Sequence, residues 1–393
     1  MNEGRTGVWF VGARGSVATT ATVGIAALAE GLAEPVGLTT AGPAFEVVEL
    51  PGFADLVVGG HDVDDTPLEE RARRLAAGGM LPSRLVEAVA PRLHEADAAL
   101  RPLTREPEGS QHDEIERRAA DIRDFRDAHG LARVVVVDVA STEPLPADRP
   151  EFHDRAALDV ALADPSARVL PSSTLSALAA VAGARAPYAC FTPSLSLGIP
   201  ALADLASASG VPVAGQDGKT GETLLRTVLA PMFTARGMRV RSWAGANLLG
   251  GGDGATLADP EAVRSKLVSK NRGLHDLLGD DVVAPLHIDN VPDLGDLKTA
   301  WDHVHAEGFL DTHITLQTTW SAYDSTLAAP LVIDLVRLLS LADAAGIAGP
   351  VPELGYFFKD PWGSDEHSFA RQADELVSWA LRTALRRSAA PVA

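Results

Sequence analysis

Five lysines stand where their charge could be put to use. Lys219 lies in the turn Gly218-Lys219-Thr220-Gly221, and Lys266 and Lys270 are four apart. Lys298 follows Asp296, and Lys359 follows the aromatic run Tyr356-Phe357-Phe358. A lysine behind three aromatics is set for partial burial, and a buried ammonium is costly unless anions pair with it. A convergent set would suit a phosphorylated ligand and a developing enolate oxygen. The plainer reading of Lys266 and Lys270 is a solvated helix face, where two cations one turn apart repel by about 0.2–0.5 kcal/mol. These five are all the lysines of a lysine-poor chain, which favours the convergent set.

Gly218-Lys219-Thr220 invites comparison with a P-loop. That loop needs another glycine five positions before its Gly-Lys pair, and Val213 stands there, so a nucleotide triphosphate is not expected. The segment Val11-Gly12-Ala13-Arg14-Gly15-Ser16-Val17 is a better nucleotide candidate. It follows the apolar run Val8–Val11 and opens a small-residue helix over 16–31, an order that aims free backbone N–H groups at a pyrophosphate. Against G-x-G-x-x-G the second glycine is Arg14. The stretch reads either as a degenerate dinucleotide turn or as an ordinary strand–helix turn. Its place at the start of a long alternating pattern favours the cofactor. The 11 histidines show no His-Glu-x-x-His spacing. His303 and His305, two apart in what reads as a helix, would face apart.

These residues need elements to hold them. After the first strand and helix, residues 34–48 read as a second strand with its loop. Residues 66–129 carry helical periodicity. Val134–Val139 is a β-branched run of the kind buried on both sheet faces. Helix and strand signals alternate again over 153–164, 173–183, 198–209 and 211–214, which predicts a parallel sheet with helices on both faces. From about residue 220 the pattern changes to strand-like alternation at 238–249, a glycine-rich loop, and a helix capped by Asp259 with Pro260 at its first position. Strands are expected at 284–289 and 312–318, and a long apolar helix at 328–345. The expected fold is a Rossmann-like doubly wound α/β domain (residues 1–220) interrupted by a smaller α+β catalytic and oligomerisation insert (221–327). The chain returns to the first domain over 328–393.

Composition narrows the field. With 393 residues, 46% of them hydrophobic, the chain can bury a large core or two. It has no run of 18 apolar residues, so no membrane span is expected. Cys190 is the single cysteine, so no internal disulfide can form. No signal pattern opens the sequence, and a cytoplasmic enzyme is the plain reading. A net charge of −19 argues against nucleic acid as a partner but not against a small anion bound by local charge.

An ordered set of motifs then resembles the myo-inositol-1-phosphate synthase family, especially its archaeal form. It comprises VGARGSVATTA, Gly59-Gly60-His61-Asp62, VASTEP at 139–144, FTPS at 191–194 and GQDGKTGETL at 215–224. It continues with NLLGGGDG at 247–254, SKLVSK at 265–270, DLKTA at 296–300, AAPLVIDL at 328–335 and FFKDP at 357–361. The resemblance implies bound NAD and a sugar 6-phosphate substrate. C5 of the sugar is oxidised, C6 is enolised and attacks the C1 aldehyde, and the cyclic ketone is reduced to 1L-myo-inositol 1-phosphate without net redox.

The resemblance also implies residue roles. Lys266, Lys270, Lys298, Lys359 and Asp324 would be catalytic. Lys219, Asn247, Asp296, Gly245 and Ala246 would meet the substrate. Gly12, Ala13, Arg14, Gly15, Ser16, Val17, Asp62, Ala140, Ser141, Thr142, Thr192, Pro193, Asp217 and Gly218 would hold NAD. Asp253 would be a ligand for a metal; a divalent metal or a monovalent cation is the second expected cofactor. A homotetramer built through the insert is the family's assembly.

The chain departs from the family at Gly245 and Ala246, where Ser-Tyr is usual, at Cys190, where Asn is usual, and at Gly251 and Gly252, which replace bulkier polar residues. These changes leave the substrate open: glucose 6-phosphate, or fructose 6-phosphate closing a five-membered ring as in carbocyclic nucleoside biosynthesis. A dehydrogenase with net redox and a non-catalytic sugar-phosphate sensor are readings of other classes. Accumulation of NADH would mark the dehydrogenase, and the retained lysines argue against the sensor.

Overall fold

The computed structural model describes residues 4–104, 108–250 and 274–389. Asp253, Asp259, Lys266 and Lys270 therefore lie outside the described residues, as do Gly251 and Gly252. The strands in chain order are β1 (Thr6–Val11), β2 (Leu56–Asp62), β3 (Leu100–Pro102), β4 (Arg133–Asp138), β5 (Tyr188–Cys190), β6 (Pro212–Gly215), β7 (Arg239–Leu249), β8 (Leu286–Asn290), β9 (Leu297–Glu307), β10 (His313–Tyr323) and β11 (Gly349–Pro350). The described α-helices are α1 (Ser16–Ala29), α2 (Leu68–Ala77), α3 (Ser83–Ala88), α4 (Ala90–Ala98), α5 (Gln111–Ala128), α6 (Arg155–Ala163), α7 (Ser172–Leu178), α8 (Leu205–Ser209), α9 (Glu222–Ala235), α10 (Asp324–Ala344) and α11 (Phe369–Ala389).

A seven-stranded sheet runs β11-β6-β5-β4-β1-β2-β3, and its pairings are parallel. Alternate residues of its central strands divide between two cores. Val8, Phe10, Val135 and Val137 pack with α1 and α10, while Trp9, Val11, Val134 and Val136 pack with residues of α5 and the segment after α7. Burial on both faces is why these strands read as unbroken apolar runs rather than as alternation. The doubly wound α/β expectation holds.

A four-stranded sheet runs β10-β9-β7-β8. Its pairings are antiparallel except for β7 with β8. One face packs on α9: Trp243, Val304 and Ala306 share a core with Ala230 and Phe233. The other face carries Trp301, which is 40% exposed. Helix α10 then leads back to the large sheet. It is long and apolar enough to cross a membrane by length and composition, but 67% of its apolar stretch is buried inside the protein. Its Asp334 accepts hydrogen bonds from the backbone N–H groups of Thr39 and Thr40 at 2.7 and 3.0 Å.

Three local expectations fail. Residues 34–48 form short 3-10 turns, and β2 is the later stretch Leu56–Asp62. Pro35, Gly37, Gly42 and Pro43 break the earlier segment at short intervals. His303 and His305 belong to β9, so they share one face instead of facing apart. His305 Nε2 lies 3.1 Å from His313 Nδ1 across the ladder. The long apolar helix begins at Asp324 rather than at 328. Asp324 in its first turn suits the positive end of the helix dipole.

Candidate active site

The expected cofactor residues collect at one end of the large sheet. The turn Gly12–Gly15 follows β1, Asp62 ends β2, and Ala140, Ser141 and Thr142 follow β4. Thr192 and Pro193 follow β5, and Asp217 and Gly218 follow β6. All lie at carboxyl ends of parallel strands, the edge at which open α/β sheets bind ligands. The N–H groups of Gly12 and Ala13 both donate to the carbonyl of His61, at 2.9 and 3.1 Å. His61 is itself locked below the turn. Its Nδ1 accepts from Trp9 Nε1 at 3.2 Å and its Nε2 lies 3.0 Å from Asp121 Oδ2, while burial pushes its pKa down, so it serves as a neutral prop.

Gly12 has φ +82°, and a Cβ on it would lie 2.7 Å from Ala140 Cα. Both the left-handed backbone and the close approach of two loops therefore require glycine there. Helix α1 begins at Ser16 and Val17 with no side-chain cap and no acidic residue in its first turn, which leaves its first N–H groups for an anion. Arg14 fills the position of the second fingerprint glycine without obstructing the turn. Its guanidinium turns away to Asp97 Oδ1 at 2.9 Å and its backbone N–H donates to Asp62 Oδ2 at 2.6 Å. These features fit a dinucleotide.

The three lysines among the described residues occupy the junction of the two sheets. The segments 216–219 and 357–360 pair in antiparallel fashion: Gln216 N–H donates to Asp360 O, Lys359 N–H to Asp217 O and Lys219 N–H to Phe357 O, at 2.7, 2.7 and 2.8 Å. This ladder sets Lys359 Nζ 2.7 Å from Asp217 Oδ1. A second pair, Lys298 Nζ and Asp324 Oδ2 at 2.6 Å, joins the start of β9 to the first residue of α10. Thr220 Oγ1 lies 3.4 Å from Asp324 Oδ1, a long hydrogen bond. The loop 217–220 thus touches both pairs. Side-chain exposures of 16% and 11% for Lys359 and Asp217, and 23% and 35% for Lys298 and Asp324, leave both ammoniums reachable by a ligand. Asp296 is exposed in the turn before β9, outside both ion pairs.

Lys219 is different. It is 3% exposed, its Nζ donates to Gln372 Oε1, and burial pulls its pKa down to about 7. The helix that follows, α9, opens with Glu222 and no side-chain cap. A carboxylate in that first turn opposes a phosphate there, which is a second reason why this Gly-Lys-Thr is not a P-loop.

Gly245 and Asn247 lie on the face of β7 toward α9. Asn247 is fully buried, and its Nδ2 donates to Glu222 Oε2 at 2.8 Å. Arg226 bridges Glu222 at 2.6 Å and Asp302 at 3.1 Å, and Trp243 Nε1 donates to Asp302 at 2.7 Å. A Cβ on Gly245 would lie 2.7 Å from Arg226 Nη2, so the space beside this glycine is taken by the guanidinium. Ala246 pairs with Trp301 and points to the opposite face from Lys298, whose side shares Ala300 and Asp302. The structure therefore joins Asn247 and Gly245 in one buried network and leaves Ala246 apart from it.

Behind the cofactor edge, Asp138 accepts from Ala140 N–H at 3.1 Å and lies 3.4 Å from Tyr188 Oη. Burial pushes Asp138 up to about 7, and the neighbouring Cys190 thiol up to about 12, so Cys190 is an inert core residue. No cluster of three or more His, Cys, Asp or Glu side chains suited to a metal occurs among the described residues. Sequence reasoning missed Gln372, Glu222, Arg226 and Asp302, which contact site residues from elements distant in the chain.

A family model described as myo-inositol-1-phosphate synthase matches residues 6–382. The chain belongs to that family. It is 34% identical to inositol-3-phosphate synthase 1 of Bacteroides thetaiotaomicron over 408 aligned positions, covering 96% of this chain and 94% of the relative. The crystal structure of inositol-3-phosphate synthase from Caenorhabditis elegans superposes with a TM-score of 0.83 at 23% identity, covering 97% of this chain and 86% of that one. A myo-inositol-1-phosphate synthase-related protein from Thermotoga maritima superposes with a TM-score of 0.73 at 23% identity, covering 96% and 98%. At such identities the two superpositions speak for the fold. As a family member the chain is an NAD-dependent enzyme of the isomerase type.

Proposed function

We propose that this protein cyclises glucose 6-phosphate to an inositol phosphate with NAD as a catalytic, recycled cofactor. The observation that carries the reading is the loop 217–220, which carries the aspartate of one reachable lysine–aspartate pair and touches the aspartate of the other at the cofactor edge. Gly12–Val17, Asp62, Ala140–Thr142, Thr192, Pro193, Asp217 and Gly218 would hold NAD. When bound, NAD would supply a reversible hydride acceptor beside the sugar.

The chain's own residues do the rest. Lys298, held by Asp324, moves the proton of the C5 hydroxyl. Lys359, held by Asp217, neutralises negative charge that builds on the substrate. Lys266 and Lys270 share the phosphate, enolate and aldehyde with Lys359. Fixed cations aimed at oxygens that become anionic supply most of the rate enhancement in chemistry of this kind. Asn247 and Asp296 would meet the sugar from β7 and the turn before β9, and Asp253 would hold the cation.

We further place the boundaries of the two domains at residues 220 and 327, and read the assembly as a cytoplasmic homotetramer. The case for fructose 6-phosphate rests on room opened at Gly245 and Ala246. Arg226 fills the first space and the second residue faces away from Lys298, so the glucose reading stands ahead.

The test is incubation of the purified protein with NAD and either hexose phosphate, with products identified by NMR. A six-membered cyclitol phosphate from glucose 6-phosphate supports the reading. A five-membered product from fructose 6-phosphate replaces the substrate, and steady accumulation of NADH overturns cyclisation.

A further inference from the structure

Gln372 lies far from every motif that marks the site, in the first turn of α11, yet it is 2% exposed and fully engaged. Its Oε1 accepts from Lys219 Nζ. Its Nε2 donates to Gly355 O at 3.2 Å and to Glu366 O at 2.5 Å. The amide orientation is dictated by its partners. Two carbonyls can only accept and a lysine amine donates in either protonation state, so the oxygen must face the lysine. Phe369, one turn earlier on α11, lies with its ring centroid 5.9 Å from Lys219 Nζ. The amine is thus closed in by α11, and the pairing of Lys219 N–H with Phe357 O fixes the backbone beside it.

Three segments meet at this one side chain. Gly355 belongs to the turn that leads into Lys359. Glu366 lies in the stretch between Lys359 and α11. Lys219 stands two residues after Asp217 and one before Thr220. The loop that Gln372 ties to the C-terminal helix therefore carries Asp217 of one lysine–aspartate pair and touches Asp324 of the other through Thr220.

We propose that Gln372 and Lys219 form a positioning clamp. In this role Lys219 does not touch substrate; it holds the loop that aligns Lys359–Asp217 and Lys298–Asp324. The proposal rests on the catalytic reading above, and its chemistry is distinctive. Removing one partner leaves the other buried and unpaired, whereas replacing both by apolar groups of similar length removes that part of the cost and leaves only the carbonyls of Gly355 and Glu366 without their donor. A lysine that bound substrate phosphate or an oxyanion would show no such rescue.

The test uses the full chain with Gln372→Leu, Lys219→Met and the double variant. Each single variant should lose about tenfold in kcat with glucose 6-phosphate, and the double variant should lose no more than Gln372→Leu alone, because the carbonyls of Gly355 and Glu366 stay without a donor in both while the unpaired amine is gone, a coupling of neighbours read as non-additivity. Losses that add in the double variant, or a Lys219→Met loss unaffected by Gln372→Leu, overturn the clamp. If Gln372→Leu does not fold, the double variant alone decides: it must fold and turn over.

A readout independent of activity separates failure of the clamp from failure of the catalytic reading. Acylation of amines, followed by mass spectrometry, should find Lys219 protected in the wild type. In Gln372→Leu, which leaves the amine without its acceptor, Lys219 labelling should rise by about tenfold as the clamp opens. Lys219 labelled as fast as Lys359 in the wild type would sink the proposal, whether or not any cyclitol is formed.

Discussion

At the scale of single residues, lysine usage is the clearest sign. The chain has five lysines against 29 arginines, so solubility and surface ion pairs are handled by arginine. The three lysines among the described residues all stand at the junction of the sheets, two paired with carboxylates and one with Gln372. Lys298→Met should lower kcat by about 10²–10⁴, the range for loss of a positioned acid–base group. Single-turnover absorbance should then show no burst of reduced cofactor, and a burst of normal size would remove Lys298 from the oxidation step. Gly245 makes a prediction of a different kind. Restoring the family's usual serine there should destabilise the fold by about 1–3 kcal/mol, because its Cβ would press on a buried guanidinium that two carboxylates hold in place. Thermal melting of Gly245→Ser checks this, and an unchanged midpoint would show that Arg226 can move aside.

At the scale of elements, the turn between β1 and α1 works through its neighbour. Gly12→Ala should weaken NAD binding by at least about tenfold, since the φ penalty for an L residue is ~1–2 kcal/mol and the loop carrying Ala140 must also retreat. Calorimetric titration with NAD measures it, and binding within twofold of wild type would mean the two loops yield without cost. The same turn shows what local pattern can and cannot reveal. Strand, glycines and helix are legible in order, and so is the run that forms β4. The partner strand β2 lies later than the pattern suggests, because the apolar residues at 34–48 resemble a strand until their prolines and glycines are weighed. Around His303 and His305, β9 passes locally for a helix, although Trp301, His303 and His305 alternate with buried Ala300, Asp302, Val304 and Ala306 at a period of two. Its small and polar residues on both faces hide that period.

At the scale of the whole molecule, buried carboxylates set a pH dependence. Burial raises Asp138 to about 7 and Asp334 to about 6. Both bind their proton more tightly in the folded chain than in the unfolded one. The stability they contribute is therefore full below the ordinary carboxylate range near pH 4 and is lost as pH rises through about 6–7. Lys219, lowered to about 7, acts in a different window: its burial penalty is present below about 7 and is relieved toward pH ~10. The melting temperature should accordingly fall between pH 5 and pH 7. Asp138→Asn should flatten that fall and leave the variant more stable than wild type at pH 8. A wild-type melting curve that does not change between pH 5 and pH 7 would place both carboxyls outside this account.

By itself the sequence determined the family and the α/β alternation, and it singled out the cofactor turn and the lysines proposed for the chemistry, because these are written as ordered local motifs and as apolar periods. Only the tertiary structure decided which partners those lysines have. Asp217 is 142 residues from Lys359 and Gln372 is 153 from Lys219, and nothing in either local stretch specifies the other. It also decided that the space beside Gly245 is taken by the Arg226 guanidinium, since which face of β7 a residue presents depends on the register of strands that meet only after the chain has folded.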